Sequence, residues 1–252
     1  MSKIPTGGVR IGDTIYVTYM SVNHWSTDGT GIWTCNYGGL AKSTDFGRTW
    51  ETPSDLRWPA SFGPVKSYPG TNGSYNYHTL GFAQLCPVID GEWVYFFGVT
   101  GGRKGDIKLM RVKAEDIENF DAYEYLIGRD KNGNGVFEKG YDAMTSNYVA
   151  IKGGSGGVSV AYNEYLEEWV MMYCTPGSGQ VTVGGIVMRT AKTLDGVWSD
   201  TALIVSNSAF GSIYEPSISQ RYMREGGKKM MVIISRFDFY NTMIFEVEVE
   251  KK

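Results

Sequence analysis

The chain has 252 residues and a formal net charge of −3, with its Lys and Arg scattered and not gathered in a stripe, so nucleic acid and an anionic membrane surface are poor partners for it. Its 33 Gly, 17 Tyr, 11 Phe and 7 Trp point to strands joined by glycine-rich turns, not to helices. No apolar run approaches the ~20 residues of a membrane span, no signal-peptide pattern opens MSKIPTGG, and Cys35, Cys86 and Cys174 are too widely spaced for a zinc or disulfide framework, so they read as small buried hydrophobes.

In chain order, four segments share one pattern. GGVRIGDTIYVTYMSV is followed by GGLAKSTDFGRTW; TLGFAQLCPVIDGEWVYFFGVTGGRKG is followed by DIKLMRVKAEDI. GGVSVAYNEYLEEWVMMYCTPG then leads to GGIVMRTAKTLDGVWS, and YEPSISQRYMREGGKKMMVIISRFDFY leads to NTMIFEVEVEK. Each has a short strand, a polar turn, a bulkier apolar strand, a loop and a third strand. Tyr16, Trp93, Trp169 and Met231 are expected in corresponding places. Repeated antiparallel sheets of this size predict an all-β fold, a β-propeller spanning residues 1–252 as one domain, with four blades visible. Four units can close a propeller, or they can be part of a five-bladed one lacking its first blade. The stretch from Glu124 to Tyr148, rich in Gly, Asn and Asp, fits no blade and is expected to be a long loop insertion.

STDFGRTW, Ser43 to Trp50, carries a conspicuous carboxylate, Asp45. Asp followed by Gly two residues later is turn chemistry: the carboxylate accepts backbone N–H groups and glycine takes positive φ. The spacing matches the S-x-D-x-G-x-x-W Asp box of sialidases and other propellers, a fold element joining outer strands. Asp45 therefore reads as structural, and the weaker TLDGVWSD around Trp198 as its counterpart.

Chemistry is expected where the inner strands begin and at the loops after the second strands. His24 and Trp25 offer a proton-carrying imidazole beside an aromatic face; Arg103, in TGGRKG, offers a planar fork for a polar ligand. His78, Gln84 and Tyr214 join them as candidate substrate contacts. Hydrolysis of a glycosidic bond needs two carboxylates flanking it, and Glu215, at an inner-strand start, and Asp238, in a mouth loop, are the candidates. Asp13 and Asp90 fall in hairpin turns and are set aside. DKNGNG places Asp130, Asn132 and Asn134 at calcium-ligand spacing, with Glu138 as a further oxygen. Tyr141 stands where an EF-hand needs Glu, so a polar turn competes with a calcium site, and no other cofactor is expected.

IPTGGVRIGDTIYVTYMSVNHW with STDFGRTW, then FFGVTGGRKGDIKLMRV, VSVAYNEYLEEWVMMY, IVMRTAKTLDGVWSD and ISRFDFYNTMIFEVEV, resemble a family once labelled a domain of unknown function and now counted among endo-D-arabinanase glycoside hydrolases. The resemblance implies a five-bladed propeller, a furanose-containing polysaccharide as partner, and a secreted or cell-surface location. Two departures stand out. Family members carry an aspartate-bearing segment upstream of the IPTGG-like stretch, and an acidic residue where this chain has Gly157. A non-catalytic glycan-binding module is accordingly the rival reading.

Overall fold

The computed structural model describes residues 2–25, 33–60, 81–103, 105–154, 156–177 and 183–251. Sheet 1 consists of β1 (Ser2–Ile11), β2 (Thr14–Trp25), β3 (Trp33–Ser43) and β4 (Arg57–Pro59), adjacent in that order. Sheet 2 holds β5 (Gln84–Asp90), β6 (Trp93–Val99), β7 (Lys108–Lys113), β8 (Glu124–Arg129) and β9 (Gly135–Lys139), and sheet 3 holds β10 (Ser159–Asn163), β11 (Glu168–Pro176), β12 (Val183–Ala191) and β13 (Ala202–Ser206). In sheet 4, β16 (Lys229–Arg236) pairs with β14 (Ile213–Ser217) and, further along, with the short β15 (Met223–Arg224); its other edge pairs with β17 (Asn241–Glu248). The sheets are arranged as four blades of a β-propeller. No helix among the described residues is long and apolar enough to cross a membrane.

Alternation along each second strand explains the stacking. Opposite faces of a strand point to opposite neighbours, so a blade that is apolar on both faces packs on both sides. In β6, Val94 and Phe96 join Tyr16, Leu40 and Trp58 of sheet 1, while Tyr95 and Phe97 join Trp169, Met171 and Tyr173 of sheet 3. In β11, Val170, Met172 and Cys174 meet Ile213, Val232 and Ile234 of sheet 4. No hydrophobic cluster among the described residues joins sheet 4 back to sheet 1. The far face of sheet 1 carries cations over rings instead: Lys3 Nζ lies 5.2 Å from the Tyr19 ring centre and the Arg57 guanidinium 4.8 Å from that of Tyr37.

Two expectations need correction. The Glu124–Tyr148 stretch is not a loop: it supplies β8, β9 and a short helix, α1 (Tyr141–Thr145). Tyr125 and Leu126 alternate into the clusters on either side of sheet 2, and Arg129 fastens the region by donating to Tyr148 Oη at 2.8 Å and to the Gly196 carbonyl at 2.8 Å. Asn132, Gly133 and Asn134 fill the hairpin between the two strands. Trp169, secondly, does not share the direction of Tyr16. Tyr16 points to the following sheet and Trp169 to the preceding one, because a one-residue change of register reverses every side chain.

Trp58 is fully buried between sheets 1 and 2, with its indole N–H on Tyr125 Oη at 3.1 Å and its ring 4.9 Å from that of Tyr123. Trp58→Ala is expected to destabilise the fold by about 3–5 kcal/mol in urea unfolding.

Candidate functional site

The innermost strands of the four sheets converge on one axis. Thr6 of β1, Gln84 and Leu85 of β5, Gly157 before β10, and Glu215 of β14 line a cavity of about 10 Å³ there. β1 and β14 both bulge at their axial residue, with register shifts between Pro5 and Gly7 and between Tyr214 and Pro216. A bulge re-aims a side chain out of the strand's alternation. Glu215 also holds φ at 49°, a left-handed conformation that costs a non-glycine residue energy.

Partners from other blades fix this carboxylate. Gln84 Nε2 donates to Glu215 Oε1 at 3.1 Å, joining sheet 2 to sheet 4 across the axis. Gln84 is only 8% exposed, and its own Oε1 has no protein partner among the described residues. The Thr6 and Thr18 hydroxyls both donate to the Leu85 carbonyl, at 2.9 and 3.0 Å, and tie β1 to β5 beside it. Gly157 explains the departure at its position. Its φ is +63° and a Cβ there would lie 3.0 Å from Glu215 Cα, so an acidic side chain does not fit.

The rim above the axis comes from the ends of the second strands. His24 and Trp25 end β2, where the half-exposed Trp25 ring lies 6.0 Å from that of Trp33. The backbone of Arg103 follows β6 in a turn at Gly101–Arg103; its side chain and the whole of His78 lie outside the described residues. Tyr214 packs edge-on against Phe237 at 6.4 Å. Asp238 sits in the turn between β16 and β17, taking Arg236 Nε at 3.0 Å and the Phe239 N–H at 3.0 Å. The Arg236 guanidinium holds its carboxyl below the ordinary carboxylate range, which suits an anion and not a proton donor.

Lys108, which the sequence reading passed over, is buried at the start of β7 and donates to the Ser146 carbonyl at 2.5 Å. Burial pushes its ammonium down to about 8. Its only sequence signal was an apolar run beginning on a lysine.

The remaining candidates serve local structure. Asp45 takes the Thr49 hydroxyl at 2.7 Å and the Thr49 N–H at 2.9 Å, and the Ser43 hydroxyl donates to it at 2.8 Å. Trp50 Nε1 closes the turn on the Gly47 carbonyl at 3.0 Å, as Trp198 Nε1 does on Leu194 at 3.3 Å. Asp130 accepts the N–H groups of Asn132 and Asn134 at 2.8 and 2.9 Å in the β8–β9 turn, while Glu138 stands out on β9. No group of three or more His, Cys, Asp or Glu that could hold a metal occurs among the described residues. Burial raises the Cys35 and Cys86 thiols to about 12, so neither is a nucleophile.

Residues 1–246 match the family described as a domain of unknown function, DUF4185. The chain belongs to this family. Among curated proteins it is 26% identical over 237 residues to notoamide biosynthesis cluster protein J of Aspergillus sp. (strain MF297-2), covering 93% of this chain and 55% of that protein. It is 27% identical over 215 residues to protein J′ of Aspergillus versicolor, covering 83% and 50%. The chain thus spans about half the length of these relatives. Among solved structures, a provisionally named hydrolase from Bacteroides ovatus ATCC 8483 superposes with a TM-score of 0.61 at 14% identity, covering 97% of this chain and 60% of that one. The Cellvibrio cellulosa α-L-arabinanase gives 0.50 at 15% identity, covering 98% and 73%. These likenesses establish the propeller fold.

Gly157→Ala is expected to destabilise by more than about 1 kcal/mol in urea unfolding, because alanine strains the positive φ and crowds the Glu215 backbone. For Asp45, the Thr49 hydroxyl foremost lowers the carboxyl from 3.8 to about 2. A depressed carboxyl stabilises the fold above its unfolded value and loses that contribution as pH falls through its folded one. The stability gap between wild type and Asp45→Asn is therefore expected to be constant above about pH 5 and to close towards about pH 2 in acid unfolding curves.

Proposed function

We propose that this propeller is a glycoside hydrolase acting on a furanose-containing polysaccharide in the manner of an endo-D-arabinanase. The observation that carries the reading is Glu215: a carboxylate on a strained bulge at the axial mouth, braced by Gln84 from the opposite blade. Strain kept at a convergent polar centre is characteristic of working sites. In this reading Glu215 acts as acid or base. Gln84 holds Glu215 towards the substrate, and Tyr214, His24, Trp25, Arg103 and His78 line the subsites. The likeness to the Cellvibrio arabinanase supports an arabinofuranose-type substrate, and Asp238, paired with Arg236, acts as anionic stabiliser or base.

The five-bladed form belongs to the same proposal. Trp198 packs 5.8 Å from Phe97 of the preceding sheet and is 7% exposed, whereas Trp50, its counterpart on sheet 1, is 44% exposed. With no apolar cluster between sheets 4 and 1 among the described residues, a fifth blade seated there covers Trp50 and brings further acidic groups to the axis. A calcium ion on Asp130, Asn132, Asn134 and Glu138 would be a structural addition to that hairpin.

One observation favours the rival, a glycan-binding module: among the described residues, Glu215 is the only acidic one lining the axial cavity, while hydrolysis uses two. Incubating the protein with arabinan and analysing the products decides between them. Cleavage by wild type, lost by about 10³-fold or more in Glu215→Gln with binding retained, is the expected result. Binding without cleavage by the wild-type protein selects the module.

A further inference from the structure

The hairpin between β16 and β17 carries a concentration of exposed rings that the axial site does not use. Phe237 is 55% exposed and Tyr240 is 82% exposed, their ring centres 5.6 Å apart, and Phe237 in turn meets Tyr214 at 6.4 Å. Tyr214 precedes Glu215 in the chain, so the three rings run outward from the axial mouth along the rim of sheet 4.

The residue type at the end of this turn is uncommon. Tyr240 holds φ at 48°, a conformation in which glycine or asparagine is the ordinary choice. The turn so shaped holds the Tyr240 ring beside that of Phe237. The polar groups around the rings are also immobilised. Arg236 is locked to Asp238 and stacks on Phe239 with its guanidinium 4.6 Å from the ring centre, and Asn241 Oδ1 accepts the Thr242 N–H at 2.7 Å.

We propose that Tyr214, Phe237 and Tyr240 form a stacking platform for a glycan chain, holding sugar units beyond those at the axial mouth. The inference rests on the glycan-binding reading above and extends it from the axis to a linear polymer. Aromatic faces carry negative charge density and attract the polarised C–H faces of sugar rings, while fixed amides and ion pairs at the edge meet hydroxyls. A surface for a second protein copy would be expected to present a continuous apolar patch; here each ring is flanked by a charged or amide group. Continuity with the axial mouth points the same way.

The test uses affinity electrophoresis and calorimetry on the full chain carrying Glu215→Gln, with linear arabinan, arabinobiose and a panel of other plant and bacterial polysaccharides as probes. Tyr240→Gly relieves the backbone and is expected to keep or raise Tm. It is nevertheless expected to weaken polymer binding roughly 2- to 10-fold while leaving disaccharide binding unchanged. Phe237→Ala is expected to act in the same direction and Tyr240→Trp to restore binding. Polymer binding equal to wild type in both Tyr240→Gly and Phe237→Ala overturns the platform and leaves the axial reading standing. Absence of binding to every polysaccharide overturns both. Concentration-dependent self-association of the wild type that Tyr240→Gly abolishes, with glycan binding intact, assigns the rings to a second copy and also overturns the platform.

Discussion

Face-to-face burial between successive sheets is the constraint on which this molecule depends. Each inner sheet is apolar on both faces, so neither face is satisfied until a neighbour covers it. The clusters built on Phe96, Phe97 and Met172 do this three times in succession. The result is positional: once the blades stack, their first strands have nowhere to lie except around one axis. The small polar centre of Thr6, Gln84 and Glu215 is a consequence of packing that happens elsewhere.

That centre is held by devices working against local preference. Glu215 takes a left-handed φ within a strand, Gly157 leaves the space its backbone needs, and Gln84 meets the carboxylate from a blade across the axis. Removal of any one leaves the others without purpose: a glycine with room to spare, or a buried amide with nothing to hold. Such mutual dependence distinguishes the axis from Asp45 and Asp130, whose carboxylates are satisfied within four residues of chain.

The repeat and the turns were legible in the sequence because both are local. Alternation of bulky and small residues, glycines at fixed offsets, and Asp45 spaced from Gly47 and Trp50 require no knowledge of distant partners. The axial position of Glu215 was legible because the start of a first strand has an address in the repeat. The strands β8 and β9 were missed because their short apolar runs flank a Gly- and Asn-rich hairpin that dominates the composition of the stretch. Trp169 was misdirected because it stands one residue beyond the pair that closes its hairpin, Asn163 with Glu168, whereas Tyr16 stands two beyond Ile11 with Thr14. Side chains alternate along a strand, so an offset of one residue reverses the face.

By itself, then, the chain determined an all-β architecture of four repeated sheets and the turn role of its most conspicuous aspartate, since backbone alternation and turn chemistry act over a few residues. Only the tertiary structure decided which side chains converge. The Gln84 to Glu215 contact joins residues 131 apart in sequence, and no local pattern encodes a meeting produced by stacking blades. The outward run of Tyr214, Phe237 and Tyr240 emerges the same way, from a hairpin folding back beside the strand that carries the axial carboxylate.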